Sequence, residues 1–274
     1  MSGMSDNQIS NNQNKNAKKR AARERMMAER AAQERRSRRN KIIAITVAAV
    51  VVVGGGVGAA VGLAGGSGSG SGSSASSGKL VVPKNATGTD GTVIVYGRAT
   101  AKNTLQMYED FRCPVCDGLE KSAGTTIQSM ADNGTYKIEY HMGTFLDNNN
   151  GGNGSMNALA AAGAALNESP TMFKKFHDVL YANQPEETVD KFGDTNYLLE
   201  LAGKVPGLKT TAFVDEVKSG TFKPWAQKVS DAFNSSGVSA TPTAILNGTK
   251  LNVGGTTTSA QWTSAVNQAL GTKK

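Results

Sequence analysis

The alternation of apolar and polar positions divides the chain before any motif is considered. Residues 42–64 hold 23 positions without a charged side chain. About 20 apolar residues span a bilayer core, so this run predicts a transmembrane helix. Arg35, Arg36, Arg38, Arg39 and Lys41 precede it, and no charge follows until Lys79. That asymmetry predicts a cytoplasmic N-terminus, with the rest of the chain outside. An uncleaved anchor fits better than a cleaved signal peptide. The basic region and the apolar run are both long, and no clear Ala-x-Ala site follows at once. Residues 65–78 are almost wholly Gly and Ser and predict a flexible tether. The globular domain is then expected over residues 79–274.

Within that domain the pattern changes period several times. Val93-Ile94-Val95-Tyr96 reads as a strand, and Thr104-Leu105-Gln106-Met107-Tyr108 as a second. A helix is expected from about Asp117. Tyr136 to Met142 alternates with period two, which predicts a third strand. Residues 147–154 are rich in Asn and Gly and read as a loop. A helical block follows, about 155–236. Ser169-Pro170 offers a cap and a proline at the first helical position. Behind it Met172, Phe173, Phe176, Val179 and Leu180 recur at helical spacing and predict one buried face. Residues 195–202 and 211–217 read as short helices, and Trp225, Val229 and Phe233 mark another. Strand character returns at Thr243-Ala244-Ile245-Leu246. Asn247-Gly248 predicts a type I′ hairpin into a return strand over residues 249–253. Residues 258–270 read as a closing helix, with Thr258 and Gln261 at capping-box spacing.

Charge separates the tail from the domain. Residues 1–41 hold 12 Lys/Arg and 4 Asp/Glu, whereas residues 42–274 hold 18 of each. The formal excess of +8 therefore lies in the N-terminal tail. Such a tail suits anionic membrane lipid or acts as a topology signal. The domain carries no excess of basic residues, which argues against nucleic acid as its partner.

The chain has two cysteines, Cys113 and Cys116. They fall where a predicted strand hands over to a predicted helix. A helix N-terminus offers free N–H groups and a positive dipole end, and both stabilise a thiolate. The second cysteine, one turn further in, is placed to attack a mixed disulfide formed at the first. A purely structural disulfide would close a loop with two residues inside it, which constrains the unfolded chain little. Gaps of 24 and 35 residues separate Cys116, His141 and His177, which does not resemble a zinc finger. Glu109 and Asp110 read as hydrogen-bonded carboxylates at a strand end, or as a proton relay for Cys116. Arg112 reads as a solvated surface charge, or as a cation assisting the thiolate.

Two stretches carry a family resemblance. Phe111-Arg112-Cys113-Pro114-Val115-Cys116, the helical block, and Val238-Ser239-Ala240-Thr241-Pro242-Thr243-Ala244-Ile245-Leu246-Asn247-Gly248 together resemble the DsbA-like thiol-disulfide oxidoreductases. The likeness covers residues 79–274 and is nearest the membrane-tethered members of Gram-positive bacteria. It implies an α/β thioredoxin-like fold with a helical insertion. It also implies a cis Pro242 facing the cysteines, with Thr241 offering backbone hydrogen bonds to an extended substrate. Cys113 would be the exposed nucleophile and Cys116 the buried resolving thiol. The implied activity is disulfide formation in exported proteins, with a membrane quinone-linked reoxidase as partner and no bound cofactor or metal. A reductase or isomerase of the same fold, and a non-catalytic surface module, are the alternatives. The chain departs from the strongly oxidising members at Val115, where they have histidine. A milder oxidant is therefore expected.

Overall fold

A computed structural model describes residues 79–271. The expected cytoplasmic tail, transmembrane helix and Gly/Ser tether fall on residues 1–78 and so lie outside the described residues. Among the described residues, no helix is long and apolar enough to cross a membrane.

The domain is built on one mixed sheet. Its strands are β1 (Ala86–Thr87), β2 (Val93–Tyr96), β3 (Thr104–Glu109), β4 (Lys137–Met142), β5 (Thr243–Leu246) and β6 (Thr249–Lys250). They lie in the order β1-β2-β4-β3-β5-β6. The central pair β3 and β4 is parallel, with Glu109 opposite Met142. A parallel pair needs a crossover, and helix α1 (Pro114–Asp132) supplies it. The other pairings are antiparallel, and β5 lies beside β3 with Tyr108 opposite Thr243. Strand β4 shows why the period-two reading holds: Ile138, Tyr140 and Met142 are buried and the residues between them are half-exposed.

Between β4 and β5 the chain forms helices α2 (Phe145–Asn150), α3 (Gly154–Glu168), α4 (Pro170–Ala182), α5 (Thr195–Ala202), α6 (Thr211–Ser219) and α7 (Lys223–Ser235). The apolar, alanine-rich α3 is their hub and packs against α4, α6 and α7. Small side chains allow such close approach, and Gly163 is the extreme case. A Cβ there would lie 2.6 Å from the Trp225 ring. Ser169 caps α4 by accepting from the Met172 N–H, and Pro170 opens the helix. Helix α8 (Ser259–Ala269) closes the domain under the capping box of Thr258 and Gln261, and packs on α1.

Three expectations need correction. The helical block begins at Phe145, because residues 145–150 form a short helix that takes in the first part of the loop expected over residues 147–154. Asp147 holds this segment to α3 by accepting from the N–H groups of Ser155 and Met156. The return strand ends at Lys250, although Asn247 and Gly248 do take the positive φ of a type I′ turn. The two-residue β1, too short for a periodic signal, was not anticipated.

Candidate functional site

The site forms where β3 runs into α1. Cys113 is the N-cap residue of α1, and Pro114 takes the first helical position, where no N–H is needed. The Cys113 sulfur accepts from the Cys116 N–H at 3.4 Å, so the helix end is capped by the thiol itself. The thiol also faces the Thr241 carbonyl oxygen, to which it donates at 3.5 Å. The Thr241–Pro242 peptide bond is cis. The β3–β5 pairing brings these residues together across 128 positions of chain. Both cysteines are free thiols.

Cys113 was expected to be exposed, and it is not: 6% of its surface is accessible. The Thr241–Pro242 turn covers it on one side. A loop at Gly254 and Gly255 covers the first turn of α1 on the other. That loop approaches closely because Gly118 has no side chain, and a Cβ there would stand 2.6 Å from the Gly255 oxygen. Val115, in contrast, is 47% exposed.

The two thiols are driven apart in acidity. The hydrogen bond from the Cys116 thiol lowers the Cys113 pKa to about 7 against the effect of burial, and Thr241 and the N–H groups of Cys116 and Val115 assist. Burial pushes Cys116 well above the ordinary thiol value, and the neighbouring Cys113 and Glu109 push it further. At neutral pH the first thiol is thus near half-ionised and the second holds its proton.

Arg112 departs furthest from expectation. It is 2% exposed, and both terminal nitrogens of its guanidinium bond to the insertion, while Nε is buried without a partner. It donates to Asp147 at 2.8 Å, to the Gly151 carbonyl at 2.8 Å and to the Glu187 carbonyl at 2.9 Å. Asp190 lies 3.4 Å away. Gln184 works beside it, donating to the carbonyls of Phe111 and Cys113. The insertion therefore fixes the backbone on which Cys113 sits.

Glu109 and Asp110 are both fully buried and hydrogen-bonded. Asp110 accepts from Ser155 Oγ at 2.6 Å and from the N–H groups of Arg112 and Leu146. Burial nonetheless raises its pKa to about 6. Glu109 Oε2 lies 2.8 Å from His177 Nε2. Glu109, Glu120 and His177 come within 4.8 Å of one another, a grouping of the kind that holds a metal ion. Lys174 already supplies a positive charge there, 3.8 Å from Glu120. His177 does not converge with the cysteines, and His141 stacks on Tyr108 instead.

Glu120, Lys174 and Asp178 were missed in the sequence. A signal for them exists. Lys174 and His177 fall within the predicted buried face of α4, between Phe173 and Leu180, where a charge requires a partner.

A low-pKa thiol heading a helix, a buried thiol one turn on, and a cis-proline turn opposite them form the site of a thiol-disulfide oxidoreductase. The thioredoxin family model matches residues 89–268. The chain belongs to the thioredoxin family, within which it is DsbA-like. It is 27% identical over 154 residues to disulfide bond formation protein D of Bacillus subtilis, covering 56% of this chain and 67% of that one. It is similar to the reduced disulfide oxidoreductase DsbG of Mycobacterium tuberculosis, at 28% identity and a TM-score of 0.57 over 66% of this chain and 89% of that one. Oxidised DsbA of the same organism matches at 27% identity and a TM-score of 0.54, over 65% and 93% of the two chains. The protein is an enzyme of thiol–disulfide exchange.

Proposed function

We propose that this enzyme forms disulfides in exported proteins, using Cys113-Pro114-Val115-Cys116 as its redox pair. Residues 42–64 anchor it in the membrane, the basic tail lies on cytoplasmic lipid, and the tethered domain faces the extracytoplasmic side. The observation that carries the reading is the Cys113 sulfur, bonded to the Cys116 N–H and 3.5 Å from the Thr241 carbonyl. The relatives named for disulfide formation support the direction.

In the oxidised enzyme a substrate thiolate attacks Cys113 Sγ. The Cys113–Cys116 bond breaks, its electron pair leaves on Cys116, and a mixed disulfide joins substrate to Cys113. A second substrate thiolate then attacks the substrate sulfur and displaces the Cys113 thiolate. The substrate gains a disulfide and the enzyme departs as a dithiol, to be reoxidised by a membrane quinone-linked partner. The Cys113 pKa of about 7 makes it a good leaving group in this second step. The Thr241 backbone binds the extended substrate chain.

Two measurements test this. Cys116→Ala should trap exported proteins as mixed disulfides on Cys113. The reduction potential should lie nearer the roughly −120 mV of strong oxidants than the roughly −270 mV of thioredoxin. No trapped species, or a potential at the lower value, refutes the oxidase reading.

A further inference from the structure

The charges of the domain balance in number but not in place. The strands define two ends. Cys113 follows the C-terminal end of β3, and β4 runs parallel to β3. The loop over residues 97–103, the start of β4 and the turn at Asn247 therefore lie at the other end, where Asn247 bonds the Thr104 backbone. Helix α1 joins the two ends. It has 19 residues, and a rise of 1.5 Å each makes it about 28 Å long. The far end carries Arg98, Lys102 and Lys250, all exposed, and Lys137, half-exposed. None of the four takes part in an ion pair among the described residues. The acids among them are Asp132, bonded by the Tyr96 hydroxyl at 2.7 Å, and Glu139, one step up β4. At the Cys113 end the sign reverses. Gln184 bonds the Phe111 and Cys113 carbonyls, and the loop after it holds Glu186, Glu187, Asp190 and Asp194 against one cation, Lys191.

A second observation is apolar. Among the described residues five large apolar side chains are exposed, and three of them, Leu80, Val81 and Val82, are consecutive. Lys79 and Lys84 flank them and are exposed too. The last turn of α3 fixes where this segment stands. The Lys84 N–H bonds the Asn167 side chain, and the Asn85 amide bonds the Leu166 carbonyl. Helix α3 begins at Gly154, beside Arg112. Its 15 residues carry the chain about 22 Å away from the cysteines. Glu168 and Glu216 also lie here, held by bonds from Thr210 and Asn167. The apolar segment thus stands at the end of the domain where the four cations are. Apolar side chains bordered by lysines suit the boundary between lipid headgroups and acyl chains.

We propose that this end of the domain docks on the outer face of the membrane. Anionic phospholipid headgroups bind Arg98, Lys102, Lys137 and Lys250, and Leu80, Val81 and Val82 enter the headgroup layer. The proposal rests on the reading of residues 42–64 as an anchor. The 14 tether residues 65–78 have a reach of roughly 20 Å, which keeps the domain at an effective concentration of about millimolar near the surface. Weak contacts suffice at that concentration, and each Lys or Arg beside an anionic leaflet strengthens them roughly fivefold. The docked domain holds Cys113 about 28 Å or more from the lipid, by the length of α1, and turned toward exported substrates. Its acidic loop then faces away from the negative surface, so both charged ends favour the same orientation.

The test is hydrogen exchange, read by mass spectrometry, on the full-length protein. It is placed in phosphatidylglycerol-rich vesicles, in pure phosphatidylcholine vesicles and in detergent. Amides of residues 79–82 and 97–103 should exchange at least about fivefold more slowly in the first medium than in the other two. Those of residues 184–190 should exchange alike in all three. High salt should remove the difference, because it screens the headgroup charge. Lys102→Glu, Lys137→Glu and Lys250→Glu combined should remove it as well, with an unchanged thermal midpoint, since these side chains hold no ion pair in the fold. Leu80→Ser, Val81→Ser and Val82→Ser combined should reduce it at low salt. Equal exchange in the three media would overturn the docking. Slow exchange in detergent would overturn it too, since the chain itself would then cover the segment. Slow exchange in phosphatidylcholine would overturn the role of the anionic headgroup. Extraction of the wild type by alkaline carbonate would show that the anchor reading is wrong, and the docking would fall with it. Protein retained in the vesicles with fast exchange at these residues would refute the docking alone.

Discussion

Arg112→Met removes a charge from the interior while keeping most of the side-chain volume. The wild-type guanidinium makes one close bond to a carboxylate that is 11% exposed, Asp147 at 2.8 Å, and bonds to two backbone carbonyls. The pair with Asp190, which is 35% exposed, adds little after solvent screening. Breaking a buried ion pair by removing one partner costs about 3–5 kcal/mol, because the other charge stays buried. For a domain of this length each kcal/mol lowers Tm by about 2–4 °C, so a fall of about 6–20 °C is expected. Thermal unfolding of the reduced protein, followed by circular dichroism, reads it directly. Asp147→Asn combined with Arg112→Met should be less destabilising than the two single effects added, since the second change removes the stranded charge. A Tm within about 2 °C of wild type, or strict additivity, would refute the idea that Arg112 ties the insertion to the active-site backbone.

Four other outcomes are expected. Thiolate absorbance should give a Cys113 pKa near 7; a value near 3.5 or near the unperturbed 9 would contradict the hydrogen bonding described at its sulfur. Because the folded pKa lies below the unfolded one, ionisation stabilises the reduced fold fully above pH 9, and this contribution disappears as pH falls through 7. Unfolding free energies of wild type and Cys113→Ala from denaturant titrations should therefore diverge between these pH values, by at most about 3 kcal/mol. Val115→His places an imidazolium beside the thiolate; the half-exposed position limits the effect to about one further pKa unit downward, read by the same titration. Gly118→Val puts a side chain where the Gly255 oxygen stands, and overpacking of this kind costs about 1–3 kcal/mol and displaces the loop over α1; unchanged Tm and turnover would count against that contact.

Local patterns were readable in the chain and long-range pairings were not. Strands β2 to β5 and most helices follow from period, caps and turn residues, as at Ser169-Pro170, Asn247-Gly248 and the Thr258 capping box. The cysteine pair and the late proline stood out because their neighbours form a strand–helix junction and a turn. Arg112 was misread because an arginine in a short polar stretch looks solvated until its partners are known. Those partners lie 35 to 78 positions away, in the short helix α2 and in loops, segments with no pattern of their own. Glu109 and His177, 68 positions apart, meet for the same reason. Residues 147–150 read as loop because Asn is a poor helix former, and the anchor at Asp147 that offsets this is tertiary.

The order in which the sheet is joined bears on the enzyme's own synthesis. Cys113 emerges early, with β3 and α1, but the carbonyl and the turn that shelter it belong to residues made more than 120 positions later. Until β5 has docked along β3, the nascent chain presents an uncovered cysteine to whatever oxidants or thiols surround it. A protein that edits the sulfur chemistry of others thus passes through a stage in which its own is unguarded, and truncation before the final hairpin would leave it there permanently.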